Sequence, residues 1–131
     1  MDSDGPLVLI IDDDDDTRYV YSRMLAHRGY RVEQASDAAA GVALAAERVP
    51  TVIIMDYVLP GMNGWEATRR LKADVATAGI PVINVTAYHY AGIDADALAA
   101  GCDAFIAKPC DPQDVVAMVA TLVARRAQQG V

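Results

Sequence analysis

Five polar side chains stand at the ends of apolar segments of the chain and could share one chemistry. Asp12 and Asp13 follow the segment LVLII, and Asp56 follows VIIM. Thr86 ends IPVINVT, and Lys108 follows AFIA. Three carboxylates held together repel one another and require a cation, and the hard divalent ion Mg²⁺ suits their oxygen ligands. A lysine and a hydroxyl beside that ion would hold a visiting phosphoryl group, which Asp56 could accept as a nucleophile.

The elements that must position these residues alternate between strand and helix five times. The predicted strands are residues 7–11, 30–35, a buried run that emerges at Asp56, 80–86 and 104–107. The predicted helices are 17–28, 37–48 with Ser36 as its cap, 64–73, 94–100, and a last one that begins at Pro112. This alternation predicts an α/β fold with a parallel sheet and helices on both faces. Ligands of such folds bind beyond the carboxyl ends of the strands, where the five polar residues should meet.

Composition restricts the kind of protein. The 131 residues suffice for one domain, and 53% hydrophobic with 22% charged residues is typical of a globular chain. A net charge of −7 argues against direct binding to nucleic acid. The chain shows no signal peptide and no apolar stretch of about 20 residues, so a soluble cytoplasmic protein without a membrane span is predicted. Cys102 and Cys110 suit a reducing compartment and are predicted to be small buried hydrophobes.

Two other sites for the acidic run fail on their sequence requirements. A calcium loop starting at Asp12 needs glycine at its sixth position and glutamate at its twelfth, where Thr17 and Arg23 stand. The chain has no GxxxxGK[ST] loop after its first strand. Counting from that strand assigns Asp12 and Asp13 to the site. The remaining acids, residues 14–16, then start the first helix, where negative charge is stabilising.

Four motifs in order give the chain a close resemblance to a known family. LIIDD (residues 9–13), IIMDYVLPGMNG (53–64), VTA (85–87) and KP (108–109) resemble the receiver domain of two-component response regulators, of the single-domain chemotaxis type. The resemblance covers residues 7–124, leaving 1–6 as an N-terminal extension and 125–131 as a frayed tail. It implies a flavodoxin-like, doubly wound sheet of five parallel strands in the order 2-1-3-4-5.

The resemblance implies roles for the acidic residues and for one backbone group. Asp56 matches the phosphoacceptor. Asp12 and Asp13 match the acidic pair that binds Mg²⁺, with Asp13 a direct ligand and Asp12 acting mainly through water. The backbone carbonyl of Val58 matches a further protein ligand of the metal.

The resemblance also implies a switch. Thr86 matches the switch hydroxyl, Phe105 the aromatic residue that turns inward on activation, and Lys108 the lysine that pairs with the phosphate. The peptide bond between Lys108 and Pro109 is expected to be cis. Bulky apolar Val58 and Tyr88 stand where relatives control hydrolysis, which predicts slow self-dephosphorylation.

A sensor histidine kinase or phosphotransfer protein would donate the phosphoryl group, and the domain would catalyse only its own phosphorylation and dephosphorylation. A downstream protein would bind the face of helix 4, strand 5 and helix 5, and a weak homodimer stays open. The aromatic run of residues 88–90 would suit an interface or pack in its loop. Alternatives are a degenerate receiver that acts as a binding module and a receiver cut from a hybrid kinase or larger regulator. A phosphatase of the haloacid dehalogenase type is disfavoured because Val58 stands where that enzyme has its acid.

Overall fold

The structure, a computed structural model, describes residues 5–129. Its strands are β1 (Leu7–Ile11), β2 (Arg31–Ala35), β3 (Val52–Met55), β4 (Val82–Thr86) and β5 (Ala104–Ala107). Its helices are α1 (Asp15–His27), α2 (Ala38–Arg48), α3 (Gly64–Ala73), α4 (Ile93–Ala99) and α5 (Pro112–Gln129). The strands form one parallel sheet in the order β2-β1-β3-β4-β5, which confirms the predicted fold and its strand order.

The sheet is covered on both faces, so its two central strands, β1 and β3, are apolar throughout. Side chains of a strand alternate between the two faces. Leu9 and Ile11 therefore join the core layer under α2, α3 and α4, while Val8 and Ile10 join the layer under α1 and α5. Buried strands of this kind lack the apolar–polar alternation of a half-exposed sheet. Helix packing on both faces leaves the carboxyl ends of the strands as the edge where polar groups can gather.

The starts of two helices show how side chains fix the chain around the sheet. Asp14 caps α1, and its carboxylate accepts a hydrogen bond from the Thr17 backbone N–H at 3.0 Å. The predicted cap of α2, Ser36, is wrong. Asp37 holds the cap position because the helix begins at Ala38, and its carboxylate accepts from the Ala40 N–H at 2.7 Å.

Other element bounds differ from the prediction for local reasons. The fourth strand begins at Val82, not at residue 80, after a proline that has no N–H to give to a ladder. The last helix continues to Gln129 and so includes residues 125–129 of the predicted tail, whose fraying stays a prediction. The Arg126 guanidinium donates to the Gly79 carbonyl at 2.6 Å, which ties the final turns to the loop between α3 and β4. Residues 1–4 of the predicted extension and 130–131 of the predicted tail lie outside the described residues.

Two further predictions concern the cysteines and the membrane. Cys102 is buried, as predicted, and Cys110 is half-buried. Within residues 5–129, none of the helices is both long enough and apolar enough to span a bilayer.

Candidate functional site

Three carboxylates meet at the carboxyl edge of the sheet. Asp12 and Asp13 come directly after β1, and Asp56 comes directly after β3, the neighbouring strand. One oxygen from each lies within 4.8 Å of the others, an arrangement that could hold a metal ion. Asp12 is buried, Asp56 is half-buried and Asp13 is exposed, so the cluster opens to solvent on one side.

Lys108 completes the cluster from the end of β5. Its ammonium lies 3.3 Å from Asp12 Oδ2 and 3.5 Å from Asp56 Oδ2. Its backbone N–H donates to the Thr86 carbonyl at 2.9 Å, which fixes the lysine beside the end of β4. The peptide bond that follows Lys108 is cis, as the resemblance implies. With three acids and one lysine, the four side chains carry a formal charge of 1 − 3 = −2.

Burial and charge shift the pKa values of two of these groups. Burial raises the pKa of Asp12, and the nearby carboxylate of Asp56 raises it further, although the Asp14 N–H and Lys108 oppose the change. Burial lowers the pKa of Lys108, but the carboxylates of Asp56 and Asp12 outweigh that effect and the net change is upward. The lysine is therefore a permanent cation at neutral pH, placed against acids that repel one another.

Backbone groups orient the Asp56 carboxylate. Its Oδ1 accepts from the N–H of Tyr57 at 2.6 Å and lies 3.4 Å from the N–H of Val58, while Oδ2 lies toward Lys108. The turn behind Asp56 needs Gly64, because a Cβ there would stand 2.0 Å from the Asp56 carbonyl oxygen. Both oxygens of the acid are thus held in place before any ligand arrives.

The structure brings four of the predicted site residues together in one cluster. Asp12, Asp13, Asp56 and Lys108 form the cluster, and the backbone of Val58 lies beside it, with its side chain exposed. Nothing in these contacts assigns the Val58 carbonyl to a metal, so that role stays a prediction.

Thr86 and Phe105 lie at the edge of the cluster. Thr86 is buried at the end of β4, and its hydroxyl oxygen accepts from the Tyr88 N–H at 3.1 Å. Over residues 5–129 no hydrogen bond links this hydroxyl to Asp56 or to the lysine ammonium. Phe105 is half-buried and packs on the core layer of α2, α3 and α4.

Part of the predicted aromatic run packs next to Asp56 and its neighbour Tyr57. Tyr88 stacks on Tyr57 with ring centroids 4.7 Å apart and an angle of 8° between the rings. Tyr57 meets Trp65 edge-on at 4.7 Å, and Tyr90 meets Tyr88 edge-on at 5.7 Å. Tyr88 therefore joins a packed aromatic cluster of residues 57, 65, 88 and 90, although Tyr88 itself is 45% exposed.

Two residues near the site are absent from the sequence-based predictions. Arg18 donates to the Asp12 carbonyl at 2.7 Å and pairs with Asp15, and no sequence signal separates it from other helical arginines. Asn84 lies under the site in β4, where it is fully buried. A polar residue in the middle of the apolar segment IPVINVT was a signal that could have found it.

The fold and the acidic edge define a class of signalling domain, and comparison with known proteins agrees. The family model of the response regulator receiver domain matches residues 8–120, and the chain belongs to this family. It is a receiver domain of two-component signal transduction. Receiver domains interact with histidine kinases and with downstream effectors.

Individual relatives support the assignment over nearly the whole chain. Protein PilH of Pseudomonas aeruginosa is 35% identical over 117 residues, which cover 89% of this chain and 97% of PilH. The chain spans about half the length of two other relatives that it matches, both transcriptional regulators.

Solved structures agree as well. A CheY-like receiver domain protein of Methanospirillum hungatei superposes with a TM-score of 0.88 at 28% identity, covering 95% of this chain and 98% of that one. The receiver domain of sensor histidine kinase PA1611 of P. aeruginosa, solved with a magnesium ion in its active-site cleft, gives 0.83 at 28% identity, covering 92% and 98%.

Proposed function

We propose that this receiver accepts a phosphoryl group on Asp56 from a histidine kinase or a phosphotransfer protein, in a reaction that requires Mg²⁺. The observation that carries the proposal is the position of Lys108, whose ammonium faces Asp12 and Asp56 inside a cluster of three carboxylates. A phosphoryl group needs positive charge around its oxygens. Lys108 provides one cation, and the three carboxylates are ligands for a second cation, a metal ion.

The donor set fits magnesium. Asp12, Asp13 and Asp56 offer hard oxygen ligands within 4.8 Å of one another, and the carbonyl of Val58 is the further predicted ligand. The bound ion would supply the positive charge that the side chains lack, because their formal sum is −2 before a phosphoryl group arrives. The magnesium ion in the PA1611 receiver domain supports this assignment.

The proposed transfer uses Asp56 as a nucleophile. One carboxylate oxygen of Asp56 forms a bond to phosphorus, and the bond from phosphorus to the donor breaks. The electron pair of that bond leaves with the donor, which is an imidazole nitrogen of phosphohistidine or the acetate of acetyl phosphate. Lys108 stabilises the charge on the transferred group, and it is already held beside Oδ2 of the acid. The domain would act on no other substrate.

The response to phosphorylation would pass through Thr86 and Phe105. The Thr86 hydroxyl accepts a hydrogen bond from Tyr88 and keeps its own proton to donate to a phosphoryl oxygen. A move of Thr86 toward the phosphate would leave space for the half-buried ring of Phe105 to turn inward. The α4–β5–α5 face would then change its affinity for a downstream protein. A weak homodimer, the absence of direct nucleic-acid binding and a cytoplasmic location stay predictions.

The aspartyl phosphate should be long-lived. The side chain of Val58 is 57% exposed beside the acid, and Tyr88 is stacked on the neighbouring Tyr57. Neither side chain has an acid or amide that could orient a water molecule for attack on the phosphorus. Slow self-dephosphorylation follows.

Intact-mass spectrometry after incubation with Mg²⁺ and acetyl phosphate tests the proposed function. We expect the mass of one added phosphoryl group, no addition when the metal is chelated, and a change in Trp65 fluorescence with a beryllium fluoride mimic. No addition in the presence of Mg²⁺ contradicts phosphorylation and leaves a domain that acts through binding alone.

A further inference from the structure

A fully buried asparagine stands one layer beneath the acidic cluster. Asn84 is 0% exposed in the interior of β4, between Ile83 and Val85. An amide in such a place costs free energy unless its hydrogen-bonding groups find partners. Alternation along the strand points Asn84 to the face opposite these two neighbours, which is the face under α3.

The oxygen and the nitrogen of the Asn84 amide both have hydrogen-bond partners. Its Oδ1 accepts a hydrogen bond from the indole Nε1 of Trp65 at 3.0 Å. Its Nδ2 donates to the carbonyl oxygen of Met55, also at 3.0 Å. One side chain therefore links α3, β4 and the last residue of β3.

Through its two hydrogen-bond partners, Trp65 and Met55, Asn84 is connected to the residues on either side of Asp56 in the chain. Met55 precedes it and is held directly by the Asn84 amide. Tyr57 follows it, packs edge-on against Trp65, and donates its N–H to Oδ1 of the acid at 2.6 Å. Asn84 thus fixes one neighbour by a hydrogen bond and the other through the indole ring.

We infer that Asn84 is a positioning residue for phosphoryl acceptance, one that sets the orientation of Asp56 by holding Met55 and, through Trp65, Tyr57. The inference rests on the proposed function. An apolar residue would fill this place in the strand without linking to the acid. The chemistry is sensitive to such a link, because a displacement of about 1 Å in a reacting group can cost about 100-fold in rate.

The test compares three variants with the parent protein. Asn84→Leu keeps the branched shape of the side chain and removes both hydrogen bonds. Trp65→Phe keeps an aromatic ring, removes the indole hydrogen bond together with part of the buried ring, and leaves the bond from Asn84 to Met55. Thr77→Val is the matched control, because Thr77 is buried and donates to the Leu71 carbonyl at 2.7 Å at the other end of the sheet.

The measurement is the rate of phosphorylation by acetyl phosphate at saturating Mg²⁺, with the Mg²⁺ affinity measured separately and folding checked by circular dichroism. We expect Asn84→Leu to lower the limiting rate about 10- to 100-fold while Mg²⁺ binds with nearly the parental affinity. Trp65→Phe should lower the rate about threefold, as the loss of one neutral hydrogen bond would. Thr77→Val should leave the rate unchanged.

A parental rate in Asn84→Leu overturns the positioning role and leaves the proposed function intact. An equal loss of rate in Thr77→Val overturns it as well, since the effect would then come from general destabilisation. Should Asn84→Leu not fold, a parental rate in Trp65→Phe is the result that overturns it. A parent protein that is not phosphorylated overturns the proposed function and this inference together.

Discussion

At each end of the sheet a lysine ammonium lies within 3.5 Å of an aspartate carboxylate, yet the two ends differ in how completely charge is matched. At the amino ends of β4 and β5, Lys72 donates to the Ala78 and Ile80 carbonyls and to Asp103, so its three N–H groups all have acceptors. Asp103 accepts in addition from the Val82 N–H at 2.8 Å. This pair ties the α3–β4 loop to β5.

The carboxyl end has the same residue types with a surplus of negative charge. Lys108 is shared between Asp12 and Asp56, and Asp13 is exposed beside them. Burial and the nearby carboxylate of Asp56 raise the pKa of Asp12, and its contacts with the Asp14 N–H and Lys108 do not offset this change. A matched ion pair stabilises a loop, whereas an unmatched cluster in a cleft is available to bind a cation and a ligand.

The largest expected effect comes from replacing an aspartate by asparagine at each end of the sheet. Asp56→Asn should abolish phosphorylation by acetyl phosphate, because the nucleophilic carboxylate is gone. Asp103→Asn should be phosphorylated at the parental rate and should instead unfold at lower urea concentration. Intact-mass kinetics and urea denaturation check the two outcomes. Equal phosphorylation of Asp56→Asn and the parent would contradict the assignment of the acceptor.

A second contrast compares the two lysines. Lys108→Met should slow phosphorylation about 100-fold, as removal of one group that stabilises transition-state charge does in enzymes. Lys72→Met should leave the rate within about twofold and lower the free energy of unfolding by about 1 to 2 kcal/mol, because the Ile80 carbonyl loses its donor. The comparison fails if Lys72→Met slows phosphorylation as much as Lys108→Met does.

The lifetime of the signal gives a smaller effect. A Val58→Asn, Tyr88→Glu double variant introduces an amide and an acid that can orient water near the aspartyl phosphate, and should lose its phosphoryl group about tenfold faster, within the range for positioned proton-transfer groups. Following the phosphorylated mass after removal of acetyl phosphate measures the decay. Decay no faster than in the parent would count against control by these two positions.

The smallest expected effect concerns pH and metal removal. The pKa of Asp12 is raised above 3.8 because burial disfavours its charged form, so the folded state binds the proton more tightly than the unfolded state does. The metal-free protein therefore loses this contribution to stability as the pH rises through and above 3.8. Asp12→Asn should accordingly melt higher than the parent at neutral pH in a chelator, and the difference should vanish below pH 3.8.

Added Mg²⁺ sharpens that prediction, because it should stabilise the parent more than Asp12→Asn and reduce or reverse the difference in melting temperature. Calorimetry with and without the metal measures both effects. A metal-free Asp12→Asn protein that melts lower than the parent at neutral pH would contradict the unmatched-charge account of this end of the sheet.

Much of the fold and the acidic cluster could be predicted because they depend on local pattern. Apolar runs identify the strands, and a parallel sheet brings their carboxyl ends together, so Asp12, Asp56 and Lys108 were expected to meet. The cap of α2 differs by one residue from the predicted Ser36, since Ser36 and Asp37 are both good capping residues and the choice depends on where the first turn closes.

Contacts between elements that are distant in the chain could not be predicted from the sequence. The hydrogen bond from Trp65 to Asn84 depends on how α3 packs across β4, and no spacing in the chain encodes that angle. The same holds for the stack of Tyr88 on Tyr57, which joins the ends of two strands and decides that the aromatic run packs against the site.

The central claim is tested most directly by locating the phosphoryl group. Treatment of the phosphorylated protein with borohydride reduces an aspartyl phosphate to homoserine, and peptide mass spectrometry then identifies the residue. We expect homoserine at position 56, only in samples that contained Mg²⁺. Homoserine at another acid, or none in a protein that is folded and loaded with Mg²⁺, would contradict the account.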